Sequence, residues 1–374
     1  MLPDMTDPRL TPLAAALPDV VPFVGPETQE RRRGRAFRAR LGANENVFGP
    51  SPRVLEAIRE AAPDVWMYGD PEAHELRQAI AAHHGVDPKH VRVGEGIDGL
   101  LGLLVRLTVG PGDWVVTSEG GYPTFDFHVE GFGGRIERVP YADDRVDARG
   151  LIDRADWTGA KLVYIANPDN PMGGMHGAEA IRQMIETLPA DALLVLDEAY
   201  AEFAPAEELP EIDPADSRVI RLRTFSKAYG LAGARVGYAI GPAPLIAAFD
   251  RVRNHFGLGR LSQVAAVAAL GDGDHLTHVV TQVAAARARI AAIAHDAGLV
   301  PLPSSTNFVA IDCGGDGALA RRVMQELAAR DVFVRMPGVA PLDRCIRISA
   351  GSEADLDALA QALPAALEAA RAAS

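Results

Sequence analysis

The sequence predicts an α/β fold, with a large domain built on a mainly parallel sheet covered by helices on both faces, and a smaller C-terminal α+β domain. From residue 90 to residue 222, short apolar runs alternate with helix-like segments, which is typical of parallel strands buried on both faces. Beyond residue 260 the chain becomes rich in alanine and carries only two strand-like runs. A length of 374 residues also favours two or three domains over one.

The elements follow from these patterns in chain order. In the large domain, apolar runs predict strands at 90–94, 114–117, 136–140, 162–166, 193–196 and 219–222, with a helix at 97–108. In the small domain they predict helices at 283–295, 318–329 and from 353 to the end, and strands at 307–312 and 345–349. We therefore expect an N-terminal arm over 1–42, a large domain over 43–260 and a small domain over 261–374.

Composition narrows the classes of partner. The formal net charge of −13 argues against nucleic acid as the main partner, although six arginines lie within residues 31–40. We interpret that run as an arm packed on acidic groups. Cys313 and Cys345 are too few for a disulfide framework, no apolar run reaches the length of a membrane span, and the start lacks a signal pattern. The expectation is a cytoplasmic protein without a membrane segment.

Lys227 lies in the segment 224–235, which also contains two hydroxyl side chains and an arginine. Hydroxyls and arginine suit a bound phosphate, and an amine beside them suits a Schiff base with a carbonyl-bearing cofactor. Only Lys89, Lys161 and Lys227 are lysines among 37 basic residues. Because arginine stays protonated and cannot form an imine, the retained lysine indicates that chemistry.

Two further segments follow predicted strands, where open α/β sheets bind ligands. The first is the turn 167–173, Asn-Pro-Asp-Asn-Pro-Met-Gly, whose composition alone also predicts a tight turn. The second is Asp197-Glu198-Ala199-Tyr200, in which Asp197 is either a helix cap or the partner of a protonated heteroaromatic nitrogen. The segment Gly94–Gly99 matches the Gly-x-Gly-x-x-Gly pattern and predicts a phosphate-binding helix N-terminus or a plain turn. Taken singly, none of these segments decides between its readings.

In this order the motifs resemble the fold-type I pyridoxal-phosphate-dependent aminotransferases of class I/II, and among them the branch that contains histidinol-phosphate aminotransferase. Further support comes from Ala43–Asn46, Gly49–Pro52, Tyr68–Pro71 and Arg347–Ser349. The resemblance covers about residues 41–350. It implies a fold-type I enzyme with pyridoxal 5'-phosphate as cofactor, which transfers an amino group between an α-amino acid, or an amino alcohol phosphate such as histidinol phosphate, and a 2-oxo acid.

The resemblance also implies roles for individual residues. Lys227 would carry the cofactor as a Schiff base and then move the substrate proton, Asp197 would keep the pyridine nitrogen protonated, and Phe125 would stack on the ring. Asn170 and Tyr200 would bind the ring hydroxyl oxygen. The cofactor phosphate would be held by Gly96, Ile97, Asp98, Thr224, Ser226 and Arg235, with Tyr68 reaching it from the second subunit of a homodimer. Asn44, Arg335 and Arg347 would bind substrate, and Arg347 would hold its α-carboxylate.

The chain departs from that branch at several positions. Val47 replaces a usual proline, and the segment 255–260 lacks the Pro-Tyr-Asn pattern typical of histidinol-phosphate enzymes. Ile97 and Gly99 stand where a small residue and an acid are usual. Arg335 does match an arginine that contacts the distal phosphate in that branch. We therefore expect an anionic distal group on the substrate and leave its identity open.

Other functions remain open on the sequence alone. A lyase or decarboxylase would use the same scaffold, since the cofactor serves whichever bond lies perpendicular to its ring. A nicotinamide dehydrogenase built on Gly94–Gly99 would leave Lys227, Asn170 and Arg235 unexplained. A regulator without turnover would need a DNA-binding domain, for which the residues before Ala43 are too few. No metal site stands out, because the His275–His278 pair lacks a third ligand.

Overall fold

Seven strands form the main sheet of the computed structural model, which describes residues 9–19, 23–211 and 213–373. In chain order, the strands of the described residues, including those outside the main sheet, are β1 Ala39–Arg40, β2 Val91–Gly94, β3 Trp114–Ser118, β4 Arg135–Val139, β5 Leu162–Ala166, β6 Leu193–Asp197, β7 Val219–Thr224, β8 Gly237–Ile240, β9 Val300–Pro301, β10 Phe308–Asp312, β11 Val332–Phe333 and β12 Cys345–Ser349. The main sheet has the order β2-β8-β7-β6-β5-β3-β4, and β8 is antiparallel to both neighbours while the other pairs are parallel. The predicted mainly parallel sheet is confirmed.

Helices lie on both faces of this sheet. They are α1 Pro12–Ala16, α2 Pro26–Arg33, α3 Pro52–Ala61, α4 His74–His84, α5 Gly96–Thr108, α6 Pro123–Gly131, α7 Ala148–Thr158, α8 Ala178–Thr187, α9 Ala243–Ala248, α10 Arg260–Leu270, α11 Gly273–Asp296, α12 Gly317–Ala329 and α13 Glu353–Ala372. Along β5, Leu162 and Tyr164 pack into the cluster under α5 and α6, whereas Val163 and Ile165 pack into the cluster under α7 and α8. Because successive side chains of a strand point to opposite faces, a wholly apolar β5 is buried from both sides.

The smaller sheet consists of β12, β10 and β9 in antiparallel order, and α11, α12 and α13 cover it. β1 pairs in parallel with β11, and Ala39 and Leu41 are buried in this smaller core. The end of the predicted arm therefore packs with the C-terminal part of the chain. Residues 1–8 and 20–22 of the arm lie outside the described residues. The boundary at residue 260 stays a prediction, and α10, which begins there, packs on α3 and α4.

Several elements differ from the sequence-based expectations, among them the two-residue strands β1, β9 and β11, which were not predicted. β8 was not expected, because its four residues include a glycine and give too short an apolar run. α11 begins ten residues before the predicted helix at 283–295, since Asp272 accepts a hydrogen bond from the backbone N–H of His275 and caps the helix there. Polar residues in its first turns obscure the apolar periodicity.

The arginine-rich segment binds acidic groups of the same chain, as we interpreted it. Arg33 and Arg35 both contact Asp331, and Arg40 pairs with Glu27 and Glu30 on α2. These pairs attach α2 beside the smaller core and bring the residues just before it to the cavity described below. In the described ranges, no helix combines the length and hydropathy that a membrane span requires.

Candidate active site

A cavity of about 750 Å³ opens at the carboxyl ends of the parallel strands, between the main sheet and the smaller sheet. Loops after β3, β5, β6 and β7 line it from one side, and residues of the C-terminal part line it from the other. This is the edge where α/β sheets bind ligands. We call the first side the large-sheet wall, represented by Asp197, Thr224, Ser226, Lys227 and Arg235, and the second the small-sheet wall, represented by Arg335 and Arg347.

Lys227 follows β7 and projects into the cavity. Its Nζ donates a 3.0 Å hydrogen bond to the backbone carbonyl of Asn44 and lies 5.7 Å from the ring centre of Tyr200. Burial, reinforced by the positive charges of Arg347 and Arg235, lowers the pKa of this amine to about 8. A lysine in this state is a far better nucleophile and base near neutral pH than an exposed one.

Asp197 is the last residue of β6, and its carboxylate is buried. It accepts hydrogen bonds from the Tyr164 hydroxyl (2.8 Å) and from the backbone N–H of Ala199 (3.0 Å). Burial raises the pKa of Asp197 to about 6, although both hydrogen bonds act in the opposite direction. No cationic side chain among the described residues forms an ion pair with this buried carboxylate, which is therefore suited to pair with a protonated ring nitrogen.

The donors predicted for a phosphate lie together. Thr224 Oγ1 donates to Ser226 Oγ at 3.0 Å, and Arg235 Nη1 approaches the same Ser226 Oγ at 3.4 Å. The first turn of α5 faces this group, and a Cβ added at Gly96 would lie 2.4 Å from Arg235 Nη2. Gly96 also has φ +78°, a conformation that favours glycine. The close approach keeps the guanidinium beside the unpaired N–H groups of the helix start.

Ile97 and Asp98 line the cavity from the first turn of α5, while Gly96 lies directly behind Arg235. Asp98 Oδ1 also lies 3.2 Å from His128 Nε2 on α6. The backbone N–H groups of this turn point away from the body of the helix, since a helix start leaves its first donors without intrahelical partners. Ile97 in place of a small residue therefore leaves the backbone donors unchanged.

Asn44 and Tyr200 form a buried pair behind Lys227. The Asn44 amide donates to the Tyr200 hydroxyl at 3.0 Å, and Asn44 adopts φ 55°, which asparagine tolerates better than most residues. Ser349 Oγ accepts from the Asn44 backbone N–H and donates to its side-chain oxygen. The carbonyl that orients Lys227 is thus fixed from β12, and burial raises the pKa of Tyr200 to about 12.

Arg347 and Arg335 lie side by side on the small-sheet wall, joined by an isolated antiparallel bridge. Arg347 donates to Asn170 Oδ1, its guanidinium lies 5.0 Å from the Phe308 ring centre, and its Nε is buried without a hydrogen-bond partner among the described residues. Arg335 stacks on Phe23 at 3.9 Å. Burial and the charge of Arg347 lower the pKa of Arg335 to about 10. Two desolvated guanidinium groups of like charge therefore lie close together, and one of them keeps an N–H donor without a partner among the described residues. This arrangement is suited to bind an anion.

In the segment around the start of α6, the aromatic side chain that lines the cavity is Tyr122 and not Phe125. Phe125 is fully buried in the core and stacks on Tyr164 with ring centres 4.5 Å apart. Tyr122, one residue before α6, lines the cavity, and burial raises its pKa to about 12. The stacking role predicted for Phe125 does not fit this geometry, because its ring is screened from the cavity by neighbouring side chains.

Tyr68 does not reach the cavity of its own chain. Its side chain is 76% exposed and packs on Phe256, with the ring centres 4.7 Å apart. Trp66 and Val65 beside it are exposed as well. The role predicted for Tyr68 requires a second copy of the chain.

Several cavity residues were not predicted from the sequence. Tyr164 was read only as part of a buried strand, and its hydroxyl bond to Asp197 depends on the register between β5 and β6. Phe23 precedes α2, and its contact with Arg335 spans more than 300 residues of sequence. The cavity is also lined by Glu27, Glu119, Asp126, Arg138 and Met336.

The sequence profile of the aminotransferase class I and II family matches residues 39–363. The chain belongs to this family. It is 54% identical to histidinol-phosphate aminotransferase from Sinorhizobium meliloti, whose crystal structure contains pyridoxal-5'-phosphate; the two structures superpose with a TM-score of 0.94 over 98% of this chain and 99% of that one. It is 36% identical over 340 residues to histidinol-phosphate aminotransferase 1 of Mesorhizobium japonicum, covering 89% of this chain and 91% of the relative.

A third relative, histidinol-phosphate aminotransferase of Moorella thermoacetica, is 32% identical over 365 residues, or 96% of this chain and 94% of the relative. The predicted fold type I, the aminotransferase activity and pyridoxal 5'-phosphate as cofactor are confirmed. The glycine pattern at 94–99 therefore belongs to an aminotransferase and not to a nicotinamide dehydrogenase.

Proposed function

We propose that this aminotransferase moves the amino group of histidinol phosphate, an amino alcohol phosphate, to a 2-oxo acid. The names of its relatives support this substrate class. The proposal rests mainly on Arg335 and Arg347, which line the same cavity as Lys227. The buried Nε of Arg347 has no hydrogen-bond partner among the described residues. One arginine would bind the α-carboxylate of an amino acid or a 2-oxo acid. The other would bind the distal anion, which in histidinol phosphate is the phosphate group, since a planar guanidinium matches both kinds of anion.

The residues of the large-sheet wall fit pyridoxal phosphate. Ser226, Arg235 and the start of α5 provide phosphate donors in a recess that a Cβ at Gly96 would close. Asp197 provides the buried carboxylate for the ring nitrogen. Asn170 and Tyr200 also line the cavity and would bind the ring hydroxyl of the cofactor. When bound, the cofactor supplies an electron-withdrawing ring that stabilises the deprotonated substrate carbon.

Lys227 then serves as the proton carrier. With a pKa of about 8, its amine both accepts and releases a proton near neutral pH, which is the range where general acid–base catalysis is most effective. The carbonyl of Asn44 holds the amine at 3.0 Å and is itself fixed by Asn307 Nδ2 at the same distance. The base is therefore positioned before substrate arrives. Tyr122 would cover the ring face, in place of Phe125.

We also propose a homodimer. Val65, Trp66, Tyr68 and Phe256 are large apolar side chains that are all more than half exposed, which is typical of an interface. Tyr68 of one copy would reach the phosphate group in the cavity of the other. Two buried, unpaired cysteines, Cys313 and Cys345, support a location in the reducing cytoplasm.

A donor screen tests the substrate proposal. The cofactor-loaded protein is mixed with histidinol phosphate, glutamate, phenylalanine or valine; the visible absorption band is followed, and the keto product is identified. We expect the phosphorylated and acidic donors to react faster than valine. A preference for valine would overturn the anionic distal site, and release of carbon dioxide without a keto product would indicate a decarboxylase.

Substitution of the two arginines separates their roles. Arg335→Gln is expected to lower kcat/KM about 10- to 100-fold for histidinol phosphate, because a charged hydrogen bond contributes about 1.5–3 kcal/mol. Phenylalanine, which has no distal anion, should be little affected. Arg347→Gln should impair every donor or acceptor that carries an α-carboxylate. Equal losses for all substrates in both variants would contradict the assignment.

A further inference from the structure

The part of the cavity wall formed by α6 and β4 carries an ion pair that neither the cofactor donors nor the two substrate arginines use. Asp126 on α6 and Arg138 on β4 both line the cavity. Arg138 Nε and Nη2 donate to the same carboxylate oxygen, Asp126 Oδ2, at 3.1 and 2.7 Å. The other oxygen, Oδ1, accepts no hydrogen bond from any residue that the structure describes.

This carboxylate is held in place and partly desolvated. Arg138 also contacts Glu130, one helical turn further along α6, so the guanidinium clamps two acidic side chains of one helix. The Asp126 side chain is only 26% exposed. Burial raises its pKa in spite of Arg138, so the carboxylate has lost more from desolvation than this partner returns. A further donor at Oδ1 would be stabilising.

We propose that Asp126 is a specificity-determining residue, which accepts a hydrogen bond from an N–H group on the side chain of the amino donor. The proposal rests on histidinol phosphate as substrate, whose imidazole carries such an N–H. Each polar part of that molecule then has a counterpart in the cavity: its amino group meets Lys227, its phosphate meets Arg335, and its ring N–H meets Asp126. A bare arginine at this place would select a second anion instead, but the charge of Arg138 is already balanced by two carboxylates.

The other acids that line the cavity are less suited to this task. Asp197 belongs to the large-sheet wall, Asp98 Oδ1 lies 3.2 Å from His128 Nε2, and the charge of Glu45 acts on the Lys227 amine. Glu27 is bound to Arg40 at 2.7 Å. Glu119 lies in the loop after β3, and its side chain has no hydrogen bond to the described residues. An acceptor that must be ordered at the moment of binding loses part of its binding energy to that ordering, whereas Asp126 is oriented in advance by Arg138.

The experiment compares histidinol phosphate with phenylalaninol phosphate, whose ring has no N–H, in Asp126→Ala and in a matched control, Glu130→Ala. Both changes remove one carboxylate from Arg138, but Glu130 does not line the cavity. Asp126→Ala should lower kcat/KM for histidinol phosphate about 10- to 100-fold, mainly through KM. Turnover of the phenyl analogue should stay within about twofold of the wild type, and Glu130→Ala should leave both donors within the same range.

Three results would overturn the proposal. Equal losses for both donors in Asp126→Ala would indicate a general effect on the cavity. The same selective loss in Glu130→Ala would assign the effect to the orientation of Arg138. A selective loss in Glu119→Ala, with Asp126→Ala unaffected, would assign the acceptor to the other acid.

Failure of the proposed function is distinguishable from failure of this inference. If the wild type does not transaminate histidinol phosphate, the same comparison is made with histidine and phenylalanine, which differ in the same ring N–H. Asp126→Ala should then penalise histidine alone, and an equal effect on both amino acids would refute the role of Asp126. Thermal unfolding of each variant with bound cofactor confirms that its fold is intact.

Discussion

The two walls of the cavity differ in how far their polar and charged side chains find hydrogen-bond or ion-pair partners within the chain. On the large-sheet wall, the side chains of Asp197, Thr224, Ser226, Lys227 and Arg235 each form at least one hydrogen bond within the chain. Asp197 accepts from the Tyr164 hydroxyl at 2.8 Å, and Ser226 Oγ lies between Thr224 Oγ1 at 3.0 Å and Arg235 at 3.4 Å. These side chains follow strand ends of one continuous sheet, so their positions are fixed by the strand register.

The small-sheet wall is incomplete. Arg335 and Arg347 are neighbours of like charge, and burial lowers the pKa of both. Arg347 Nε is buried without a partner among the described residues, and Arg335 is held by the Phe23 ring and the carbonyl of Val24. Buried cations without anions are costly, so this wall is stabilised when a ligand supplies the negative charge.

The difference matches the two kinds of ligand that an aminotransferase handles. A cofactor stays bound through every turnover and is best held by groups that are fixed in advance. Donor and acceptor exchange in each half-reaction, and a wall completed only by an anion binds either of them. We infer that substitutions on the large-sheet wall impair cofactor binding and catalysis with every substrate. Substitutions on the small-sheet wall instead change which substrates are accepted.

The largest effect on turnover is expected for Lys227→Ala, which tests the large-sheet wall. Turnover should fall by about three orders of magnitude or more, because both the covalent attachment and the proton carrier are lost. The cofactor should still bind through its phosphate, since Ser226 and Arg235 are untouched. Activity and the visible spectrum after dialysis measure the two effects. Lys161→Ala, an exposed lysine just before β5, is the control and should behave as the wild type.

Retention of full turnover in Lys227→Ala would contradict the assignment of the lysine. Loss of the cofactor on dialysis would contradict a different statement, namely that the large-sheet wall is complete without the covalent bond. The two outcomes are therefore separable in one preparation.

A smaller effect is expected for Tyr164→Phe, which sharpens the comparison within the large-sheet wall. The ring still stacks on Phe125, but Asp197 loses its hydroxyl donor, so its pKa rises further above 6 and less of it is ionised. Cofactor affinity near neutral pH should fall about tenfold, the equivalent of one hydrogen bond to a charged group. Spectrophotometric titration of the apoprotein with cofactor measures it.

Tyr141→Phe is the matched control. The Tyr141 hydroxyl also donates to a buried aspartate, Asp169, at 2.8 Å, and burial raises the pKa of that aspartate to about 6 as well. Asp169 does not line the cavity. An equal loss of cofactor affinity in both variants would show that general destabilisation, and not the charge of Asp197, is responsible.

Sequence reasoning located the large-sheet wall well because its residues follow strands that are visible as apolar runs. Asp197 and Lys227 come directly after such runs, and their residue types fit one chemistry. Tyr164 shows the limit. Within an apolar strand, tyrosine is indistinguishable from core, and only the pairing of β5 with β6 brings its hydroxyl to Asp197. Phe125 was chosen from its motif, whereas burial against Tyr164 removes it from the cavity.

The small-sheet wall was less predictable for a physical reason. Arg335 and Arg347 are adjacent only because β12 and the segment after β11 form a bridge, and such pairing between distant segments has no local signal. The contact of Phe23 with Arg335 depends on the attachment of α2 through Arg33 to Asp331. The family resemblance identified the two arginines but did not predict the contacts that hold them in place.

The smallest expected effect concerns pH and links the two walls. Burial and then the charge of Arg347 lower the pKa of Lys227 from an ordinary value near 10.5 to about 8. Only the neutral amine attacks the cofactor aldehyde, so the rate of covalent attachment to the apoprotein should rise with pH and level off above about 8. Stopped-flow absorbance at a series of pH values gives the midpoint.

Arg347→Gln should move that midpoint to higher pH, because a positive charge that disfavours the protonated amine is removed while burial remains. Arg335→Gln, its neighbour across the bridge, is the control and should shift the midpoint less. An unchanged or lower midpoint in Arg347→Gln would mean that burial alone sets the lysine pKa. In that case the small-sheet wall would select substrates without tuning the base, and the two walls would be electrostatically independent.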